Sequence, residues 1–184
     1  AMVAPTPVSA LLHAVAVVKA GVFAVAKIVY GIFGIETLAA SGASTWLVYA
    51  AAAGILAASL IALVQDNLKA RLAYSTVSQL AYVVLGAALA TTTGLMGGML
   101  HVAAHAVGKI TLFFCAGAIY VATKKTNVSQ LDGIGRTMPF TMTAFLIGSL
   151  SIVGLPPFAG MWSKWYLGLA AVETEHLVVL AVLI

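Results

Sequence analysis

Hydrophobic residues run along the chain in long blocks that are separated by short polar clusters. A helix needs about 20 apolar residues to cross a bilayer. Five blocks approach or exceed that length, and a sixth begins near residue 177. We therefore predict an all-α membrane protein, a polytopic bundle of five transmembrane helices and the start of a sixth. The predicted spans are about 9–32, 45–64, 72–91, 96–123 and 139–168.

Polar residues and helix breakers mark the joints between these blocks, as expected for connections between helices. No composition shift divides the chain further, so residues 1–184 are predicted to form a single transmembrane domain. Because the chain opens on Ala1 and stops inside the apolar run LVVLAVLI, we expect it to be a fragment of a longer membrane subunit. The joints are GIE at 34–36, SGAS at 41–44, QDNLKAR at 65–71, TTTG at 91–94, KKTNVSQLDGIGR at 124–136 and ETEH at 173–176.

The fifth block contains the sequence GLPPFAG at 154–160, which is incompatible with a continuous helix. Pro156 and Pro157 remove two backbone donors and clash with the preceding turn. In lipid, such a break persists only where protein or a water-filled cavity satisfies the freed backbone groups. A broken helix at membrane depth indicates an ion or substrate site.

The composition supports a membrane location and excludes several classes of function. Only 8% of the residues are charged and 62% are hydrophobic, whereas soluble domains contain about 25% charged residues. The net charge of +4 is not concentrated in a basic run with exposed aromatics, so a nucleic-acid partner is not expected. The single Cys115 lies in an apolar run and is interpreted as a packing residue.

The lysines and arginines of the loops predict how the chain is oriented in the membrane. Loops 65–71 and 124–136 contain Lys and Arg, whereas the charged residues of the loops on the other side are all glutamates. Short cytoplasmic loops carry an excess of Lys and Arg. We therefore predict a multi-pass protein of the plasma or inner membrane, with the first residues of this chain on the cytoplasmic side.

Four basic residues lie well inside the predicted spans, where charge is unfavourable. His101, His105 and Lys109 follow one another at intervals of four residues, so they share one face of a helix and extend over about 12 Å. Lys19 lies near the centre of the first span, too deep for its side chain to reach the interface. A lysine at the bilayer centre costs about 2.5–3.5 kcal/mol on insertion scales and usually marks a pathway.

Other interpretations of these residues remain open at this stage. The HxxxH spacing could ligate a metal, but no third ligand is visible nearby and a lysine follows one turn later. A retinal Schiff base on a midplane lysine would need a carboxylate counter-ion, and no Asp or Glu lies inside a span. Lys164 could be an interfacial anchor beside Trp162 and Trp165. We expect no metal or cofactor and favour proton transfer between basic sites.

Four motifs in this order resemble the antiporter-like membrane subunits shared by respiratory complex I and Mrp-type multisubunit antiporters. The family core has two inverted five-helix repeats, each with one broken helix. The resemblance implies that the chain holds the last helix of the first repeat and the second repeat up to the start of its last helix. The motifs are APTPVSALLHAVAVVKAG, LKARLAYSTVSQLAY, HVAAHAVGK and GLPPFAGMWSKWYL.

The resemblance implies a role for each matching residue. Lys19 would close the first half-channel, the residues His101, His105 and Lys109 would form the central relay, and Lys164 would be the terminal proton site. Many complex I relatives carry an acidic residue two places before the loop lysine, where this chain has Asn67, so a pairing of Asp66 with Lys69 stays open. Supporting polar or structural roles are implied for His13, Ser75, Pro156, Pro157, Lys69 and Asp66.

The sequences VVKAG and SKWYLG are more similar to the D subunit of Mrp antiporters than to a complex I subunit. The implied function is proton translocation in a monovalent cation/proton antiporter that exchanges Na+ for H+, together with other subunits. Such a subunit is a secondary transporter without chemistry of its own. The alternative is a proton-pumping subunit of respiratory NADH:quinone oxidoreductase, although nothing in this chain is expected to bind NADH, flavin or iron.

Overall fold

The computed structural model describes residues 6–11 and 16–183. In these residues the regular structure is helical, apart from a single antiparallel bridge between Asn67 and Asn127. The prediction of a polytopic helical bundle is confirmed. The helices are α1 (Thr6–Ala10), α2 (Val17–Ile28), α3 (Ile35–Ser41), α4 (Thr45–Val64), α5 (Leu68–Ala88), α6 (Thr92–Thr123), α7 (Ile134–Thr137), α8 (Pro139–Val153), α9 (Ala159–Glu173) and α10 (Leu177–Leu183).

The long helices begin where the sequence supplies a cap. The Asn67 side chain accepts a hydrogen bond from the backbone N–H of Ala70 at the start of α5, and Thr91 accepts one from Gly94 at the start of α6. Such caps satisfy backbone donors that the first turn leaves free. Both helices therefore begin four residues before the predicted spans, whereas α4 has the bounds 45–64 predicted from hydropathy.

The segment 34–44, where breakers at both ends predict a simple connection, contains a short helix. α2 continues through a π-helical turn at Val29–Phe33, and Gly34 ends it with φ at 79°. α3 then forms and is bent by 83° from the preceding helix. Glu36 lies in the first turn of α3, where the helix dipole favours a negative side chain.

The predicted break in the fifth span is confirmed. α8 ends at Val153, Gly154 adopts a positive φ of 90°, and α9 begins at Ala159. Just after the break, Gly160 packs directly against the backbone carbonyl of Ser151, so that a Cβ atom at residue 160 would collide with that oxygen. The two half-helices can therefore cross closely only because residue 160 has no side chain.

α5 and α6 form the centre of the bundle. α5 packs against α2, α4, α6 and α9, and α6 packs against α1, α5, α8 and α9. Large side chains are completely buried along these contacts, including Ile55, Leu85, Phe113 and Leu167. The outward faces stay apolar, as shown by Trp46 and Val64 of α4, which is expected where lipid rather than water surrounds a helix.

By length and hydropathy alone, two helices within the described part of the chain are long and apolar enough to cross a membrane, namely α4 and α6. The bent pair formed by residues 17–33 and 35–41 would add a third crossing if it is one span. α5 has 21 residues and carries more polar side chains, of which it buries Thr76, Ser78 and Gln79 inside the bundle. α6 has 32 residues, a length of about 48 Å, and it places His101, His105 and Lys109 in its middle.

Candidate functional site

The basic side chains of α6 are buried in one line, as the four-residue spacing predicts. His101 and His105 are each 2% exposed and Lys109 is fully buried. The two imidazole rings are stacked with centroids 6.0 Å apart. Among the described residues, no group of three or more His, Cys, Asp or Glu side chains comes together as a metal site would require. We call His101, His105 and Lys109 the basic stripe.

Lys109 is held by groups of the neighbouring helix α5. Its Nζ donates to the Ser75 hydroxyl at 2.8 Å and to the backbone carbonyl of Leu72 at 3.2 Å. The structure thus places Ser75 directly on Lys109. These neutral acceptors satisfy part of the amine without a carboxylate, so the side chain is not locked in an ion pair and can exchange a proton.

The broken helix brings two further polar residues to the opposite end of the basic stripe. Ser163 is fully buried, and its Oγ lies 3.0 Å from Nδ1 of His101. Lys164 donates from Nζ to the carbonyl of Val153 at 2.9 Å, a group that the end of α8 leaves without a helical partner. Pro156 and Pro157 lie exposed in the connection between the two half-helices.

Tyr82 of α5 connects Lys164 to the basic stripe. The Lys164 ammonium lies 5.2 Å from the centre of the Tyr82 ring, and the same ring stacks on His101 with centroids 5.4 Å apart. A cation near an aromatic ring is stabilised by the ring quadrupole. Lys164 therefore belongs to the same cluster as His101, and it also lines an apolar cavity of about 400 Å³ with Gly154 and Trp165.

Lys19 approaches the basic stripe from α2. It is 6% exposed, and α2 packs against α5, the helix whose polar groups hold Lys109. Four of the five basic residues that the sequence assigns to the pathway are therefore buried, and the half-buried Lys164 is linked to them through the Tyr82 ring. His13, which was predicted to support it, lies outside the described residues.

Several buried polar atoms in this region have no hydrogen-bond partner among the described residues. A buried polar atom without a partner is rare in native proteins and calls for an explanation such as an ordered water or an ion. Most of the unpartnered atoms here are imidazole or amine nitrogens, which are titratable groups. They are Lys19 Nζ, Gln79 Oε1, His101 Nε2 and both ring nitrogens of His105.

Asp66 and Lys69 each contact other groups rather than each other. The Asp66 carboxylate accepts hydrogen bonds from the backbone N–H of Ser129 at 3.0 Å and from its hydroxyl at 2.8 Å. Lys69 Nζ lies 5.4 Å from the centre of the Tyr120 ring. The polar loops 65–71 and 124–136 are thus joined, and the pairing of Asp66 with Lys69 that the sequence left open is not the contact that forms.

The Asp66 contact predicts a defined pH dependence. Hydrogen bonds from Ser129 hold the pKa of Asp66 below its usual range, so the contact is complete above about pH 4 and is lost only as the pH falls through the lowered pKa. Asp66→Ala removes both acceptors and should speed hydrogen exchange at the Ser129 amide several-fold at neutral pH, measured by mass spectrometry. Asp132→Ala, in the same loop as Ser129 and exposed, should not. Equal protection in both variants would contradict this role.

Ser163 is the residue of the site that sequence reasoning missed. It lies between Trp162 and Lys164 in the sequence MWSKW. A single serine there belongs to no periodic pattern or motif. Tyr82 was also missed, because a single tyrosine in an apolar run gives no such pattern. Gln79 belongs to the polar stretch YSTVSQ, whose side chains are equally consistent with helix capping and with hydrogen bonds between helices. Only the packing of α5, α6 and α9 reveals these contacts.

Comparison with known proteins shows extensive similarity. A family model described as "NADH:quinone oxidoreductase/Mrp antiporter, TM" matches residues 1–184. NADH-quinone oxidoreductase subunit N of Desulforudis audaxviator is 43% identical over 183 residues, which are 98% of this chain and 36% of that protein. NAD(P)H-quinone oxidoreductase chain 5 of Synechocystis is 39% identical over 178 residues, covering 89% of this chain and 24% of that protein.

Two solved structures are also similar. The membrane-bound sulfane sulfur reductase, an archaeal respiratory membrane complex, contains a chain that superposes with a TM-score of 0.87 at 32% identity, covering 98% of this chain and 36% of that one. The Mrp complex of Dietzia sp. DQ12-45-1b gives a TM-score of 0.73 at 32% identity, covering 84% and 30%. The chain thus spans about a quarter to a third of the relatives that it matches.

Proposed function

Because this chain belongs to the family of NADH:quinone oxidoreductase and Mrp antiporter membrane subunits, we propose that it forms a proton-conducting part of a proton-translocating subunit. One observation carries the proposal, the line of basic groups that runs from the buried Lys19 through the basic stripe to the half-buried Lys164. Basic groups without internal carboxylates can pass protons to one another through water, whereas a fixed ion pair would trap the charge.

The path begins at Lys19 and at the amine of Lys109, which faces Ser75 on α5. Protons then exchange through the imidazoles of His105 and His101, whose unpartnered nitrogens supply acceptors at the depth where the bilayer excludes bulk water. Lys164 receives the proton beside the broken helix. Water in the buried region bridges the gaps, since stacked imidazoles with centroids 6.0 Å apart do not share a hydrogen bond.

The first candidate for the coupled reaction is exchange of H+ for Na+ within an Mrp-type complex, as the sequences VVKAG and SKWYLG suggest. A second candidate is proton pumping driven by a redox reaction in other subunits. The relatives named as quinone oxidoreductase subunits and the similarity to the sulfane sulfur reductase favour this second candidate to a comparable degree. In both cases the chain works with other subunits in the lipid bilayer and without a cofactor of its own.

We place loops 65–71 and 124–136 on the cytoplasmic face of a plasma or inner membrane. Their content of Lys and Arg supports this orientation. The bridge between Asn67 and Asn127 supports the placement of both loops on one side of the membrane, since two loops in direct contact lie on the same side. The N-terminal end of the chain then also faces the cytoplasm.

His105→Gln tests the proposal with little risk to the fold, because neither nitrogen of His105 has a partner to lose among the described residues. The complete host complex would be reconstituted in proteoliposomes with an internal pH dye. We expect proton flux to fall by about tenfold or more, since glutamine cannot accept and release a proton. His176→Gln, in the connection between α9 and α10 and outside the path, should keep the wild-type flux.

The same vesicles separate the two candidates. A Na+ pulse that moves the internal pH without an electron donor supports the antiporter, and pH movement only after addition of a reductant and a terminal acceptor supports the redox-driven pump. Wild-type flux in His105→Gln under both conditions would refute the proton path itself.

A further inference from the structure

Ser163 lies where it can control the protonation of one ring nitrogen of His101. Both residues are buried, with Ser163 fully enclosed and His101 2% exposed. The Ser163 oxygen is 3.0 Å from Nδ1 of His101 and 2.9 Å from the backbone carbonyl of Gly160. A carbonyl oxygen accepts only, whereas a serine hydroxyl donates one hydrogen and accepts others.

These two distances favour a single arrangement of hydrogens. When the Ser163 hydroxyl donates to the Gly160 carbonyl, its oxygen accepts from Nδ1–H of His101, and both hydrogen bonds form. When the hydroxyl instead donates to Nδ1, the contact with Gly160 is lost and the ring hydrogen moves to Nε2. Nε2 has no hydrogen-bond partner among the described residues.

The surroundings of Nε2 strengthen this assignment. A buried N–H group without an acceptor is rarer in proteins than an acceptor without a donor. The backbone carbonyl of Gln79 faces the ring as an alternative acceptor, but its contact falls short of hydrogen-bond geometry, so it competes only weakly with Ser163 for the ring hydrogen. The arrangement with hydrogen on Nδ1 therefore leaves the less unfavourable atom unpaired.

We infer that Ser163 is a positioning residue that holds His101 in the Nδ1–H tautomer and leaves Nε2 as its only proton-accepting atom. A proton donated by a neighbouring ammonium or hydronium ion adds to the Nε2 lone pair and gives an imidazolium. The same proton then leaves from Nε2, and the ring returns to neutral with its Nδ1–H bond intact. The Ser163 side of the ring is a dead end for protons, because the Gly160 carbonyl cannot take one up.

The transport consequence rests on the proposed function, but the tautomer can be measured without it. Solid-state NMR of the complete complex with nitrogen-15 histidine identifies which ring nitrogen carries hydrogen, and His101→Gln assigns the signal. We expect Nδ1–H in the wild type and a shift of most of the population to Nε2–H in Ser163→Ala. Ser163→Thr restores the hydroxyl and should restore the Nδ1–H signal.

Proton flux in proteoliposomes supplies the second measurement. Ser163→Ala should lower the flux about tenfold, with Ser163→Thr recovering most of it. The matched control is Ser78→Ala, which removes another buried hydroxyl whose partners among the described residues are the Ile55 carbonyl and Ser59; its flux should not change.

Each outcome decides the inference. Nε2–H in the wild type, or Nδ1–H that persists in Ser163→Ala, overturns it. A tautomer shift without loss of flux overturns the positioning role in transport. If His105→Gln abolishes flux and Ser163→Ala does not, the proposed function stands and this inference fails. If the tautomer shifts as expected while His105→Gln has wild-type flux, the assignment of Ser163 to His101 stands and the proposed function fails.

Discussion

Lys109→Met is expected to abolish proton translocation by the complete complex while leaving the subunit folded and assembled. Lys109 is fully buried at the middle of α6, and its amine contacts the Ser75 hydroxyl and the Leu72 carbonyl. Methionine has a similar length but no group that can carry a proton. Since a central lysine costs about 2.5–3.5 kcal/mol on insertion scales, its removal should not destabilise the bundle. Flux in proteoliposomes and the thermal stability of the purified complex would both be measured.

Two further variants show what Lys109 contributes. Lys125→Met removes an exposed lysine just beyond the end of α6 and should preserve flux. Lys109→Arg keeps the positive charge but cannot release a proton, because arginine stays protonated in proteins. This variant should therefore also be inactive. Transport by Lys109→Arg would show that the residue acts through its charge alone, and transport by Lys109→Met would remove it from the path.

Gly160→Ala is expected to have the largest effect on the fold. The new Cβ would collide with the backbone carbonyl of Ser151, a rigid group that cannot rotate away as the end of a side chain could. Overpacking of this kind costs about 1–3 kcal/mol, which should lower the melting temperature of the complex measurably. Thermal unfolding of the detergent-solubilised complex, followed by tryptophan fluorescence, would measure the change.

The same substitution should also impair transport, because Gly160 and Val153 supply the carbonyls that hold Ser163 and Lys164. Gly135→Ala is the matched control. Its added methyl meets nothing within 4 Å, and alanine is the better helix former, so stability should stay the same or rise slightly. A Gly160→Ala complex with unchanged melting temperature and flux would contradict the close crossing of α8 and α9.

The sequence was sufficient for the features that depend on local composition. Hydropathy gave the bounds of α4, and two adjacent prolines gave the break between α8 and α9, because both effects act within a few residues. The four-residue spacing of His101, His105 and Lys109 was enough to place them on one face. The start of α5 was predicted four residues late, because the capping by Asn67 favours a helix in a stretch that hydropathy excludes.

Contacts between distant segments were beyond the reach of the sequence. Asp66 bonds to Ser129, which is 63 residues away along the chain, and Ser163 bonds to His101 across 62 residues. No periodicity or charge pattern links such pairs, and each depends on how whole helices cross. α3 was missed because the glycine and the polar residues that flank it indicate a loop as readily as a short helix.

The length of α6 has a consequence for the lipid around the protein. At about 48 Å it exceeds the hydrocarbon thickness of about 30 Å, so it must tilt or extend beyond the bilayer surface. Its packing against α5, α8 and α9 leaves it little freedom to adjust its tilt alone. In a thicker or thinner membrane the bundle would therefore keep its internal geometry, and the surrounding acyl chains would stretch or compress to match it. Hydrophobic mismatch would then be absorbed by the lipid, and the separation of Lys109 from His101 would stay the same in membranes of different thickness.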